Sequence, residues 1–137
     1  MGTFSAKFCM WNPNAPEIVE EIEATVDTGA AFSWILRERL DRLGAQRLRR
    51  LDFRASDGSI VKRDTAVVWV ESHGRKLPDI VVVSEVGDTE LIGSYTIQGL
   101  GLAYDPIQKK LSLAEIPAMA FIESLDDLQA RSIRARS

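Results

Sequence analysis

Residues 24–33 read Ala-Thr-Val-Asp-Thr-Gly-Ala-Ala-Phe-Ser, so Asp27 is followed at once by a small hydroxyl residue and a glycine. The preceding run, residues 18–27 (IVEEIEATVD), places mostly apolar side chains at alternating positions, which predicts a half-buried strand that ends at Asp27. Asp followed closely by Gly at a strand end is also common turn chemistry. The triplet alone therefore fits either a plain turn or a catalytic carboxylate.

The hydrophobic period changes after this turn. Residues 33–44 (SWILRERLDRLG) place their four aliphatic side chains at helical spacing. Ser33 is suited to cap the start of a helix and Gly44 to end it. We expect a short amphipathic helix here, with arginines on its exposed face.

Turn signals divide the chain beyond residue 50 into short strands. Asp57-Gly58 and His73-Gly74 predict hairpin turns, and the apolar run of residues 81–83 indicates a strand covered on both faces. A short strand stopped by Gly93 comes next, then a helical turn or loop, a turn at Asp105-Pro106 and a closing strand. This order predicts a mainly β domain, built as a small barrel or sandwich.

The chain is divided into three parts. Residues 1–16 are expected to form an irregular N-terminal arm after a short strand, because Pro and Asn cluster at their end. Residues 17–116 carry the strand pattern of the domain. Residues 117–137 follow Pro117 and are expected to form a partly helical C-terminal extension.

Composition excludes several classes of function. A chain of 137 residues with a net charge of −3 fits one domain and lacks the basic excess typical of nucleic-acid binding. No apolar run approaches a membrane span or a secretory signal, so we expect a cytoplasmic protein without membrane contact. The single Cys9 and single His73 argue against an intrachain disulfide and a Cys/His zinc site, and His73 is interpreted as a turn residue.

Residues 37–54 hold seven arginines against three acidic residues. Two interpretations stay open for this stretch. It is a solvated helix face with an adjoining loop, or it is a patch that binds phosphate or an acidic partner.

Four motifs follow one another along the chain: TVDTGA around Asp27, the hairpin RASDGSIVKRD, ELIG, and GLGLAYDP followed by KLSL. Each motif is weak alone. Their order and spacing over roughly residues 17–116 resemble the retropepsin-like aspartic proteases, in the single-lobe form found in retroviruses and many prokaryotes. The resemblance implies a small closed-barrel-like lobe with one or two short helices.

The resemblance also assigns roles to the residues around the Asp-Thr-Gly triplet. Asp27 would be the catalytic residue. Thr28 would hold paired loops together through a hydrogen bond across a two-fold axis. Gly29 would provide a sharp turn without a Cβ, and the small Ala30 would let backbone and substrate approach.

Two further elements are implied around this loop. Leu91, Ile92 and Gly93 would lie beneath it and shape it. The hairpin tip Ser56-Asp57-Gly58-Ser59 would be a flap that closes over substrate, although family flaps are often richer in glycine. Trp34 and Trp69 are interpreted as core or interface aromatics, and Trp34 is close enough to Asp27 in sequence to line a substrate pocket.

Peptide hydrolysis without a metal or a covalent nucleophile needs an activated water and a proton donor for the carbonyl oxygen. Two carboxylates about 3 Å apart cannot both ionise easily, so they share one proton and act as base and acid. The chain holds one Asp-Thr-Gly, so the resemblance implies a C2 homodimer that pairs Asp27 with the partner's Asp27. The expected substrate is a peptide or protein, and no cofactor or metal is expected.

Two alternatives to an aspartic endopeptidase stay open. The lobe is a dimerisation or peptide-binding module without significant turnover, because a fold does not fix a function. Otherwise the chain is an unrelated small β domain in which Asp-Thr-Gly occurs by chance. The intact Asp-Thr-Gly favours the enzyme over the binding module.

Overall fold

Nine strands and two short helices form residues 4–114, the part of the chain that this computed structural model describes. The prediction of a mainly β domain is confirmed. The predicted extension at residues 117–137 lies outside the described residues. The elements are β1 Phe4–Asn12, β2 Ala15–Val26, β3 Trp34–Leu36, α1 Arg37–Leu43, β4 Arg47–Arg54, β5 Ile60–Ser72, β6 Arg75–Ser84, β7 Leu91–Ile92, α2 Ser94–Gly99, β8 Leu102–Asp105 and β9 Lys110–Leu113.

Seven of these strands form one sheet in the order β1-β2-β7-β3-β6-β5-β4. β1 also pairs with β5 in an antiparallel ladder. This pairing closes β1, β2, β7, β3, β6 and β5 into a six-stranded ring. Closure leaves β4 as an extension at the edge of β5, and β8 and β9 form a separate hairpin. A closed ring removes two exposed edges that would otherwise invite pairing with other chains.

The N-terminal segment differs from its prediction. The short strand expected before the arm is present as β1, but it belongs to the ring and pairs with both β2 and β5, so residues 4–12 are not part of a separate arm. Phe8 and Met10 are each 1% exposed and point into the barrel core. Their pairing with β5 is distant in sequence, so the local pattern of residues 1–16 does not reveal it.

The first helix is shorter than predicted. The structure makes residues 34–36 a strand, and α1 starts at Arg37 without a side-chain cap. Parallel pairing of β3 with β6 satisfies this backbone and overrides its helical spacing. Ser33 is therefore not a helix cap, whereas Gly44 does end the helix, in the left-handed conformation.

The two predicted hairpin turns are confirmed. Asp57-Gly58 connects β4 to β5, and His73-Gly74 connects β5 to β6. Gly58 has φ 88°, a conformation that favours glycine. Residues 81–83 are fully buried in β6, as their continuous apolar run predicted. No helix in the described range is long and apolar enough to span a membrane.

Candidate active site

The segment of residues 27–33, between β2 and β3, is referred to as the Asp27 loop. Val26 pairs in parallel with Ile92 of β7, and the Asp27 N–H continues this ladder by donating to the Ile92 carbonyl at 2.9 Å. The chain then turns back at once, because the Ala30 N–H donates to the Asp27 carbonyl at 3.2 Å. Asp27 is therefore fixed on both sides by backbone hydrogen bonds.

The Asp27 carboxylate lies at the surface of this loop. Its Oδ1 accepts a hydrogen bond from the Gly29 N–H at 2.9 Å, which fixes the orientation of the side chain. Asp27 and Ala30 are half-buried, while Thr28 and Gly29 are exposed. The loop thus presents an oriented carboxylate between small residues that leave room for another molecule.

Gly93 packs directly under the loop. A Cβ at this position would lie 2.5 Å from the Phe32 carbonyl oxygen and 2.7 Å from that of Ala31, so no other residue fits without a shift of backbone. The Ser94 N–H donates to the Ala30 carbonyl at 2.8 Å. The structure therefore places Leu91-Ile92-Gly93 against the Asp27 loop, and the functional roles of these residues and of the loop stay predictions.

The hairpin tip between β4 and β5 is closed by its own hydrogen bonds. The Ser59 N–H and hydroxyl both donate to Asp57 Oδ1, at 2.9 and 2.6 Å. These two hydrogen bonds hold the pKa of Asp57 below its usual value, and the bond from the Ser59 hydroxyl has the larger effect. The tip is exposed and anionic, and its assignment as a flap stays a prediction.

Four rings link the Asp27 loop to the strand that carries this tip, and we refer to Phe32, Trp34, Phe53 and Tyr95 as the aromatic cluster. Phe32 makes edge-to-face contacts with Phe53 and Tyr95, with ring centroids 5.9 and 5.4 Å apart. Trp34 lies 5.3 Å from Phe53 by the same measure. Of these four residues the sequence singled out Trp34 alone, because Phe53 is distant from it in sequence and Tyr95 joins the cluster from α2 through Phe32.

No family model matches the sequence, and no curated protein matches it. Among solved structures, the chain is similar to the EIAV protease complexed with the inhibitor HBY-793, with a TM-score of 0.51 over 73% of this chain and 89% of that chain. The chain has a retropepsin-like fold. At 20% sequence identity the likeness shows the fold alone, which confirms the predicted closed-barrel lobe.

A chain of polar groups, buried except at the half-buried Asp79, supports the Asp27 loop of the retropepsin-like lobe. We call its four members the polar relay: Gly93, Ser33, Thr96 and Asp79. Gly93 N–H donates to Ser33 Oγ at 3.0 Å, and Ser33 Oγ lies 2.5 Å from Thr96 Oγ1. Thr96 Oγ1 donates to Asp79 Oδ2 at 2.6 Å. No local sequence pattern predicts this relay, since Ser33 and Thr96 are 63 positions apart.

Asp79 is the acidic end of the polar relay. Burial raises the pKa of its carboxyl above the ordinary value, against the lowering effects of the hydrogen bonds from Thr96 and the Ile80 backbone. Asp79 lies opposite the fully buried Val68 in the β5–β6 ladder, which explains the burial.

Most of the arginine-rich stretch is neutralised within the lobe. Five of its seven arginines form ion pairs, while Arg49 and Arg54 lie exposed on β4. In each pair, a carboxylate offsets the charge of the guanidinium group, so the pair attracts a phosphate or an acidic partner only weakly. The solvated surface is therefore the better interpretation of this stretch. The pairs are Arg37–Glu85, Arg39–Glu90, Arg42–Glu20, Arg47–Asp41 and Arg50–Asp64.

Other chemically reactive side chains lie away from the Asp27 loop. His73 occupies the β5–β6 turn, with its Nδ1 2.8 Å from Ser72 Oγ. Burial and the charges of Glu21 and Glu71 raise the pKa of the Cys9 thiol, which disfavours the reactive thiolate. Among residues 4–114, no group of three or more His, Cys, Asp or Glu side chains could hold a metal ion.

Proposed function

We propose that the chain is an aspartic endopeptidase that works as a homodimer, with Asp27 and the partner's Asp27 as its two catalytic carboxylates. The observation that carries this proposal is the Asp27 loop, which holds a partly exposed carboxylate in a fixed orientation on a retropepsin-like lobe. One chain supplies one such carboxylate. A C2 pair of loops would bring two together, because an isologous contact places identical residues across the axis.

The chemistry follows from one proton shared between two carboxylates. The ionised carboxylate removes a proton from a water molecule, and the water oxygen attacks the scissile carbonyl carbon. The protonated carboxylate gives its proton to the carbonyl oxygen. In the tetrahedral intermediate, the first carboxyl gives the proton taken from water to the amide nitrogen, and one hydroxyl returns its proton to the second carboxylate as the C–N bond breaks. The products are a carboxylic acid and an amine, the dyad again holds one proton, and no cofactor is used.

The exposed Thr28 and Gly29 suit the contact between two such loops. The Thr28 side chain is short and carries a hydroxyl that can donate and accept across the axis. Gly29 lacks a Cβ, so the two backbones can approach closely. We propose these two residues as the centre of the dimer contact at the active site.

The aromatic cluster points to the class of substrate. It joins the Asp27 loop to the candidate flap, and Tyr95 is 55% exposed at its edge. Large rings recognise apolar side chains through buried surface and ring contacts. We therefore propose that the enzyme cleaves extended peptides with a large apolar residue next to the scissile bond.

Peptide cleavage and light scattering test the two halves of this proposal separately. The wild-type protein should be a dimer at micromolar concentration and should cleave an unstructured peptide library at acidic to near-neutral pH. Asp27→Asn should remain a folded dimer without activity. Activity that persists in this variant assigns catalysis elsewhere, and a strict monomer removes the shared site.

The alternative is a peptide-binding module without significant turnover. The hydrogen bonds within the candidate flap tip favour this alternative, because an ordered and charged tip has fewer ways to close over substrate. A wild-type dimer that binds apolar peptides but leaves them intact over long incubation would support this alternative.

A further inference from the structure

The polar relay has one direction of hydrogen bonding. Gly93 N–H uses an acceptor site of Ser33 Oγ, and Thr96 gives its only hydroxyl proton to Asp79. Ser33 must then donate to Thr96, since each hydroxyl has one proton to give. All three donors therefore point toward Asp79, which is the acceptor that orders the relay.

The other end of the relay is the segment that anchors the Asp27 loop. Gly93 directly follows Ile92, whose carbonyl receives the Asp27 N–H. Ser94, on the other side of Gly93, donates its N–H to Ala30 of the same loop. Gly93 lies between the two residues that form these anchoring bonds. A shift of its backbone would therefore shift the Asp27 loop.

We propose that Asp79 is a positioning residue for the catalytic loop: through Thr96 and Ser33 it orients the hydroxyl that receives the Gly93 N–H. The catalytic part of this inference rests on the proposed function. Asp79 hydrogen-bonds to Thr96 of α2, so its effect on Asp27 passes through the backbone of β7 and the start of α2.

The surroundings of Asp79 favour this role over a plain surface ion pair. No ionised neighbour contributes to its raised pKa, which burial alone drives upward. Val68 lies across the ladder, Thr96 faces it from α2, and the cations of its own strand, Arg75 and Lys76, are exposed. Among residues 4–114 no cation forms an ion pair with Asp79, so a carboxylate here is better explained by the acceptor that it supplies to the relay.

Two variants of Asp79 and one of Thr96 separate positioning from simple loss of stability. Asp79→Asn keeps an acceptor oxygen for Thr96, whereas Asp79→Leu removes it. Thr96→Val removes the hydroxyl and keeps the shape. Val70→Ala is the matched control, because Val70 is a fully buried β5 residue that takes no part in the relay.

The first measurement is hydrogen exchange of the Gly93 amide by NMR, normalised to global stability in the full chain. Protection should fall about tenfold in Asp79→Leu and Thr96→Val, the size expected when one buried hydrogen bond loses its ordered partner. Asp79→Asn and Val70→Ala should leave the normalised protection unchanged.

The second measurement is peptide cleavage. In Asp79→Leu and Thr96→Val, kcat should fall roughly 10- to 100-fold with little change in KM, because a displaced carboxylate reacts poorly while substrate contacts persist. Asp79→Asn should restore most of kcat, and Val70→Ala should keep it.

Three results would overturn the proposal. Unchanged Gly93 protection in folded Asp79→Leu would disconnect Asp79 from the loop. Equal losses in Val70→Ala would reduce the role to stability, and a full loss of kcat in Asp79→Asn despite normal protection would rule out positioning through an acceptor. If Asp79→Leu does not fold, the Gly93 protection measured in Thr96→Val tests the relay instead.

A wild-type protein without activity would reject the proposed function. The exchange experiment would still decide whether the relay positions the loop.

Discussion

Asp27 and Ile92 are joined by a backbone hydrogen bond of 2.9 Å that continues the parallel pairing of β2 and β7. This bond fixes the catalytic candidate to a strand of only two residues. The strand is in turn fixed by Gly93, which packs against the backbone of residues 31–32 and donates to Ser33.

Gly93→Ala should destabilise the protomer severely. The new Cβ would lie 2.5 Å from the Phe32 carbonyl oxygen, and a backbone atom cannot move aside cheaply. We expect a loss of about 3 kcal/mol or more in the free energy of unfolding, measured by urea denaturation.

Gly29→Ala is the matched control for that experiment. Its Cβ would meet only Asp27 Oδ1, at 3.2 Å, so protomer stability should change by less than about 1 kcal/mol while activity falls. Equal stability of the Gly93→Ala and wild-type proteins would contradict the packing described for β7.

Asp79 should make stability depend on pH in an unusual direction. The pKa of Asp79 is higher in the folded protein than the unfolded value of 3.8. Its contribution to the free energy of unfolding is therefore largest below pH 3.8 and is lost as pH rises through the folded-state pKa. Relative to Asp79→Asn, the wild-type protein should lose about 1.4 kcal/mol for each unit of pKa difference between the folded and unfolded chain. Chemical denaturation of both proteins from pH 4 to pH 7 measures this, and parallel curves would show that Asp79 does not titrate as stated.

The Arg63–Asp88 pair should act in the opposite direction. Arg63 donates to both carboxylate oxygens, at 2.7 and 3.0 Å, and lowers the pKa of Asp88. Its stabilisation is present above the unfolded value of 3.8 and is lost as pH falls through the folded-state pKa. Arg63→Met should therefore cost about 1–2 kcal/mol at pH 7 and almost nothing in strong acid.

An exposed ion pair provides the control for Arg63. Lys62 lies 3.7 Å from Asp52, and their side chains are 67% and 61% exposed. Lys62→Met should leave the unfolding free energy within about 0.5 kcal/mol at every pH, because solvent screens such pairs. If Arg63→Met behaved like this control, the bidentate pair would not hold residues 85–88 in place.

Phe53→Ala should weaken the binding of substrate. Phe53 contacts both Phe32 and Trp34, so its removal opens the middle of the aromatic cluster. For peptides with a large apolar residue, KM should rise about tenfold with a smaller change in kcat. Trp69→Ala is the control, since Trp69 stacks on Trp11 instead. Equal effects of the two variants would remove the cluster from the substrate site.

The sequence predicted those parts of the fold that depend on neighbouring residues. Turns at Asp57-Gly58 and His73-Gly74 follow from local backbone preferences, and the apolar run of residues 81–83 marks a buried strand. It also placed Asp27 at a strand end and Gly93 in the segment that packs beneath it.

The features that the sequence missed depend on distant pairing. The β1–β5 ladder makes the expected N-terminal strand part of the barrel, and the β3–β6 ladder makes residues 34–36 a strand where a helix was predicted. The polar relay joins Ser33, Thr96 and Asp79, which have no common motif and are brought together by elements far apart in sequence.

The most direct test of the shared active site is the activity of mixed dimers. Wild-type protein is mixed with increasing amounts of Asp27→Asn, subunits are allowed to exchange, and peptide cleavage is measured at constant total concentration. If each site needs Asp27 from both protomers, activity per total protein falls as the square of the wild-type fraction, to about one quarter in an equal mixture. A fall to about one half, or cleavage by Asp27→Asn alone, would contradict the two-carboxylate site.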